Sequence, residues 1–556
     1  MNVDDTSGVG DATAAREATT TTVTDSGLFV RQSTGLIRGV TPFSAYVLNM
    51  APAHPTQLLA AGFFFGFALF PGGNYLLALL LTVPLVLAFA YAFGLLTRLM
   101  PRTGGDYILA GRVLHPAWGL VSSIAYFIAS LISMAFFAEL VVNLGIGPGL
   151  SIIGLLGGWH TLVSWGATVE ANNWWKFILG MVFVLFAAGM QVTTWRWRVR
   201  LQNGLFWGAT AGVLLAGIIA LFTSHGAFVH NFNSFSAPYT HLSNTYAATI
   251  ATAHKAGVVT NAGFSFSNSV GIVGVLATAT IYPFTTSWNS GELQQAQSRK
   301  TANIMALGGV TPLVAVAILA AIFLHTFGTA FMTAANGGGF PAQISAPATY
   351  FFLIAASAHS TVLGIILVLS YMLYWPLIMY IAFIQPSRAL FAWSFDGLLP
   401  EWVTKVSPRT AAPTVAIGLT IVLSALTLVW GLHAKLFLTL VVYGVLFAMV
   451  SQISVGIAAL VVPWRRRALY EAGSVHGKIL GVQAVCVAGV AAILSGIFVS
   501  WIYLHYPQFG VGSVWKALGY VAGGIVIALA YYTIAVAIRS RQGRDVRLAL
   551  SEIPPE

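Results

Sequence analysis

The chain has 556 residues, of which 57% are hydrophobic and only 7% charged, so it carries more apolar surface than a soluble core of that length can hide. Its single cysteine, Cys486, excludes an internal disulfide. The formal net charge of +11 raises the question of nucleic acid, and the answer depends on where the basic residues sit.

Residues 1–36 are polar and threonine-rich (Thr19 to Thr22), without the basic-then-apolar pattern of a signal peptide, and are expected to form a disordered cytoplasmic tail. Apolar runs of spanning length follow at 40–69, 73–98, 116–142, 174–194, 201–223 and 266–290. The series continues at 303–330, 348–393, 413–432, 436–463, 479–504 and 513–538. The fold class expected is an all-α polytopic membrane protein of twelve transmembrane helices. The abundance of glycine and proline, 56 and 22 residues, suits helices that pack closely and sometimes kink.

Sorting lysine and arginine by connection puts 22 on one side of this arrangement and 4 on the other, which together are all 26 basic residues. Cytoplasmic loops collect such residues, so both termini are expected to be cytoplasmic in a multi-pass protein of the cell membrane. The same sorting accounts for the charge as topology signals and contacts to anionic lipid heads, with no nucleic acid partner. Of the two long outer connections, 143–173 and 224–265, the second carries His225, His230, His241 and His254. They lack regular ligand spacing, so a solvated loop is expected and no metal site.

Two interruptions stand out. The first run contains Asn49-Met50-Ala51-Pro52-Ala53-His54-Pro55, and the sixth contains Thr280-Ile281-Tyr282-Pro283-Phe284-Thr285-Thr286-Ser287-Trp288. Backbone that leaves helical geometry inside a membrane survives only where it lines a cavity or is buried in protein. Breaks in corresponding positions of two halves point to an inverted-repeat transporter. The expected organisation is a first five-helix repeat at 37–223, an extracytoplasmic loop at 224–265 and a second five-helix repeat at 266–463. Two further spans with their preceding loop occupy 464–539, and a cytoplasmic tail occupies 540–556. Each half-helix would present backbone amides or carbonyls at the midplane, able to hold an ion or zwitterion without charged side chains.

Three stretches carry a family resemblance. Pro101-Arg102-Thr103-Gly104-Gly105-Asp106-Tyr107, followed by Arg112-Val113-Leu114-His115-Pro116 and Gly119, resembles the loop after span 2 of the amino acid-polyamine-organocation permeases. Gly291-Glu292-Leu293-Gln294-Gln295-Ala296 is similar to that family's Gly-Glu stretch after the span 6 break, with Ala296 in place of the usual proline. Ser387-Arg388-Ala389-Leu390-Phe391 with Asp396-Gly397-Leu398-Leu399-Pro400 and Pro413 resembles the segment between spans 8 and 9. The resemblance implies the five-plus-five inverted repeat of the leucine-transporter type with two added C-terminal helices, and alternating access for small organic solutes. In amino-acid members the substrate carboxylate meets amides of the first break and its amine meets carbonyls of the second. This sequence departs there, because Pro52 and Pro55 have no amide hydrogen and leave Ala51, Ala53 and His54 as donors.

On that basis the substrate-binding candidates are Asn49, Met50, Ala51, Ala53, His54, Thr280, Ile281, Tyr282, Phe284 and Thr285. The coupling or gating candidates are His54, Glu139, Trp288 and Glu292. His54 could carry a coupling proton, orient an anionic group or cap the following half-helix. Glu139 attracts cations, takes part in an outer gate or simply reaches water, and Glu292 belongs to an inner gate or to structure. Where sodium-coupled relatives place hydroxyl residues, this chain has Leu377 and Ile378, which offer no oxygen ligand. The expected function is a secondary transporter of an amino acid or amine, with proton coupling as one option. Inorganic cation uptake and a non-transporting nutrient sensor are the alternatives. No cofactor and no enzymatic constellation is expected, and the phosphate-loop pattern fails around Gly477-Lys478, where Ala472 and Ile479 occupy required positions. The sequence sets no oligomeric state.

Overall fold

The structure, a computed structural model, describes residues 39–344, 346–433 and 437–542. The tail expected over 1–36, and the tail over 540–556 beyond residue 542, lie outside the described residues, as does Lys435. Among the described residues, eleven helices are long and apolar enough to cross a membrane, the first Tyr75–Leu99 and the last Val514–Arg541. The chain is therefore an all-α polytopic membrane protein.

The first apolar run is not among those eleven, because it is divided. A helix Pro42–Met50 starts on a Thr41 side-chain cap, passes into a 3-10 turn Ala51–Ala53, and is followed by a new helix Pro55–Leu69. Residues that precede proline are pushed out of helical geometry, and His54, at φ −54° and ψ 138°, makes that excursion before Pro55. Pro55 then occupies the first helical position, where no amide hydrogen is needed. The sixth run, expected over 266–290, is α-helical only as Phe266–Thr280 and continues as 3-10 turns Thr285–Ser287 and Ser290–Glu292.

The interruptions meet reciprocally. Pro42–Met50 packs on the turn Thr285–Ser287, Phe266–Thr280 packs on the turn Ala51–Ala53, and Pro55–Leu69 lies along Phe266–Thr280. Each segment thus presents its break to the other's helix, which is what two antiparallel broken spans do when they cross near their middles. The helices Pro116–Leu140 and Tyr374–Phe395 pack against each other beside this crossing.

The two long connections, 143–173 and 224–265, are more ordered than their composition suggests. The span that begins at Pro116 runs on through a π-helical turn Val141–Ile146 to Gly157, and His160–Ala171 follows as a separate helix. The 224–265 connection, expected as a solvated loop, contains helices His225–Thr240 and Thr245–Lys255. Phe228, Phe232 and Phe235 recur at helical spacing and are buried, while the four histidines stay exposed on the other faces. The expected run 348–393 is two elements, a short helix Tyr350–Ala358 and the spanning segment Thr361–Phe395, parted at His359 in left-handed geometry. Lys478–Ile479 pairs with Val482–Gln483 in a two-residue hairpin whose turn residues, Leu480 and Gly481, both have positive φ.

Candidate functional site

Asn49 is the joint between the interruptions. Its Oδ1 accepts the Thr286 backbone N–H at 3.1 Å, and its amide nitrogen lies 3.0 Å from the Thr286 hydroxyl. Both residues are about 1% exposed, so these are buried bonds that hold one break in register with the other.

His54 sits at the end of the first break, fully buried. The Thr56 backbone N–H donates to His54 Nδ1 at 3.1 Å, so that nitrogen is the acceptor and the ring proton lies on Nε2. Nε2 donates to Thr210 Oγ1 at 3.0 Å, and that hydroxyl donates on to the Phe206 carbonyl at 2.8 Å. The ring also stacks on Tyr374 and meets the edge of Phe206, with centroids 5.2 and 4.9 Å away. The amides of Gln57 and Leu58 bond back to the His54 carbonyl, so the first donors of the new helix are occupied within the chain. At the second break the Ile281 carbonyl accepts Gln452 Nε2 at 3.2 Å.

A cavity opens beside the crossing, with about 500 Å³ of empty space that includes its open mouth. Pro52 reaches it from the first break, and Tyr282, Thr285 and Trp288 reach it from the second. The helix Pro116–Leu140 adds Tyr126, Ser130, Ser133 and Phe137. Ile378, Ile381, Ala382 and Gln385 come from one face of Tyr374–Phe395. Among the described residues none that lines this cavity carries a charged side chain. Its rings form a connected wall, with Tyr126 edge-on to Tyr282 at 6.0 Å and tilted on Trp288 at 4.6 Å.

Below the wall, toward the basic loops, the motif residues bond to one another. Trp288 Nε1 donates to Asp106 Oδ1 at 2.9 Å, and Asp106 Oδ2 accepts the hydroxyls of Ser122 and Ser451 at 3.0 and 2.9 Å. Burial pushes the Asp106 carboxyl up from its ordinary value, against those three donors. Gly105, at φ +50°, lies directly under the Trp288 indole, and a Cβ there would overlap the ring. Glu292 stands between two guanidinium groups. Its Oε2 meets Arg198 Nη1 at 3.1 Å and its Oε1 meets Arg388 Nη2 at 2.6 Å, while Arg388 Nε donates to Asn289 Oδ1 at 3.2 Å. Arg112 pairs with Asp396, and Tyr107 donates to the same carboxylate at 2.8 Å. The three stretches quoted above are therefore partners in space.

Of the residues singled out from sequence, Tyr282, Thr285 and Trp288 line the cavity. Asn49, Met50, Ala51, Ala53, Thr280 and Ile281 are buried at the crossing without reaching it, and Phe284 stacks on Phe93 instead, 3.7 Å between centroids. Glu139 lies outside the cavity lining, with Lys176 Nζ at 3.5 Å and Asn143 Nδ2 at 3.4 Å. Sequence reasoning missed Tyr126, Ser130 and Ser133 because hydroxyls and rings are unremarkable in a membrane helix. It also missed Gln385, whose signal was available: a primary amide at i+7 from Ile378 and i+4 from Ile381, on an otherwise apolar face.

Among curated proteins none matches this chain. A family model described as "Amino acid permease" matches residues 42–530, from the helix before the first break into the last spanning helix. With the broken spans, the cavity and the motif network in the same region, this chain belongs to the amino acid permease family of the amino acid-polyamine-organocation superfamily.

Proposed function

We propose that this permease is a secondary active transporter that moves an amino acid or amine across the cell membrane by alternating access. The observation that carries the reading is the cavity bounded by both interruptions, since a ligand there touches the segments whose relative movement would open either side. The Asn49–Thr286 joint would then move as part of the substrate site. Counterflow of labelled amino acids and amines into proteoliposomes tests it, with accumulation against trapped unlabelled solute as the expected result. Failure across the panel would overturn it.

Glu292, with Arg198 and Arg388, is the inner gate in this reading, and Trp288, tethered to Asp106, closes the cavity floor. The bonding of His54 supports the helix cap over a coupling proton, because both ring nitrogens are engaged and the cavity lining does not include it. Glu139, paired with Lys176, supports a role outside the substrate path. Counterflow with and without an imposed pH gradient separates proton symport from exchange and uniport. Inorganic cation uptake has less support, since a bare cation entering this lining would meet hydroxyls, rings and the single Gln385 amide but no carboxylate. Rubidium flux is its check.

A further inference from the structure

Gln385 is 1% exposed and lines the cavity, yet neither its Oε1 nor its Nε2 has a hydrogen-bond partner in the protein. A buried primary amide left without partners is costly, and such groups in native proteins call for a specific explanation. Gln191 is equally unpartnered but is not among the residues lining the cavity, so burial alone does not single out Gln385. Its place does: Ile378, Ile381 and Ala382 form the rest of its helix face, and it is the polar end of that face. The nearby hydroxyls of Ser133, Thr278 and Thr285 each donate to a carbonyl of their own segment, at 2.8, 2.7 and 3.3 Å. None of them supplies what Gln385 lacks.

We propose that Gln385 selects the substrate, pairing its amide edge to edge with a carboxamide in the side chain of a neutral amino acid. A primary amide offers an N–H donor and a C=O acceptor side by side. A substrate carboxylate would satisfy Nε2 but set oxygen against Oε1, and the lining holds no cation to offset it. An ammonium would satisfy Oε1 alone. A second carboxamide satisfies both atoms in one plane, and the rings of Tyr126 and Tyr282 cover the aliphatic part of such a side chain. Arg388 follows Gln385 by one turn and is held by Glu292 and Asn289, so the selecting amide lies next to the charged cluster of the proposed gate.

The inference rests on the transporter reading above and deepens it. Counterflow of L-glutamine and L-norleucine, whose side chains are of similar length, is measured in proteoliposomes of wild type, Gln385→Leu and Gln385→Glu. Wild type is expected to favour glutamine by about tenfold or more, the effect of leaving a buried amide unpaired when norleucine binds. Gln385→Leu is expected to bring that ratio close to one, and Gln385→Glu, which keeps an acceptor for the substrate N–H but loses the donor, is expected to lower it. Gln385→Met replaces the leucine variant if the latter fails to elute as a single species. Amino acid counterflow in wild type without a preference for glutamine overturns this inference and leaves the transporter reading intact, as does a ratio unchanged in the variants. Absence of counterflow across the whole panel of amino acids and amines overturns both.

Discussion

Replacing Glu292 by glutamine tests the buried charge cluster most directly. The substitution keeps the volume and one oxygen acceptor, but removes the only carboxylate within ion-pair distance of Arg198 and Arg388 among the described contacts. The side chains of Arg198, Arg388 and Glu292 are 10, 1 and 4% exposed, so water cannot take over the lost charge. Breaking a buried ion pair by removing one partner costs about 3–5 kcal/mol, and the retained acceptor of glutamine places the expected loss near the lower end, about 3 kcal/mol. The thermal midpoint of the purified protein reads it, and a double-mutant cycle with Arg388→Gln is expected to give a coupling of more than about 1 kcal/mol. Burial alone would raise the Glu292 carboxyl, but Arg388 and Arg198 outweigh it and hold it below its ordinary value of 4.5. Its stabilisation is therefore present above about pH 4.5 and is lost as pH falls through the lowered native value, a loss the glutamine variant will not show. A cost under about 1 kcal/mol, or additive effects in the cycle, would refute the reasoning.

Asn49→Ala removes the bonds to Thr286 and leaves a buried backbone N–H unpaired, an expected loss of about 2–3 kcal/mol together with counterflow. Retained counterflow would separate the joint from transport. Glu170, on the helix His160–Ala171, is pushed by burial up to about 7, against the attraction of Lys176. A carboxyl raised in this way stabilises the fold below about pH 4.5 and loses that contribution as pH rises through 7, so Glu170→Gln is expected to flatten the stability profile across that interval. The effect has a ceiling of roughly 3 kcal/mol, reduced by solvent screening of the partly exposed group, and an unaltered profile counts against it. His54→Asn keeps an acceptor for the Thr56 amide, and uptake by this variant is expected to retain the wild-type pH profile. A flattened profile would return the coupling proton to His54.

Sequence by itself determined the membrane class, the positions of the breaks and the family. Those properties are written in composition, in prolines that cannot continue a helix and in local motifs, none of which depends on a distant contact. It also marked Tyr282, Thr285 and Trp288, because residues inside a break have few places to go except a cavity. What only the tertiary structure decided was pairing. Glu292, legible as a carboxylate after the second break, became part of a charge cluster only when Arg198 and Arg388 arrived from two other helices. His54 is a conspicuous titratable residue in sequence, and its capping bond and contact with Thr210 appear only when the chain turns at Pro55 and the neighbouring helix packs on it. The 237-residue separation of Asn49 from Thr286 and the isolation of Gln385 on its helix face have the same origin. Local rules fix which backbone can be helical, whereas a hydrogen bond between distant residues depends on which helix faces meet.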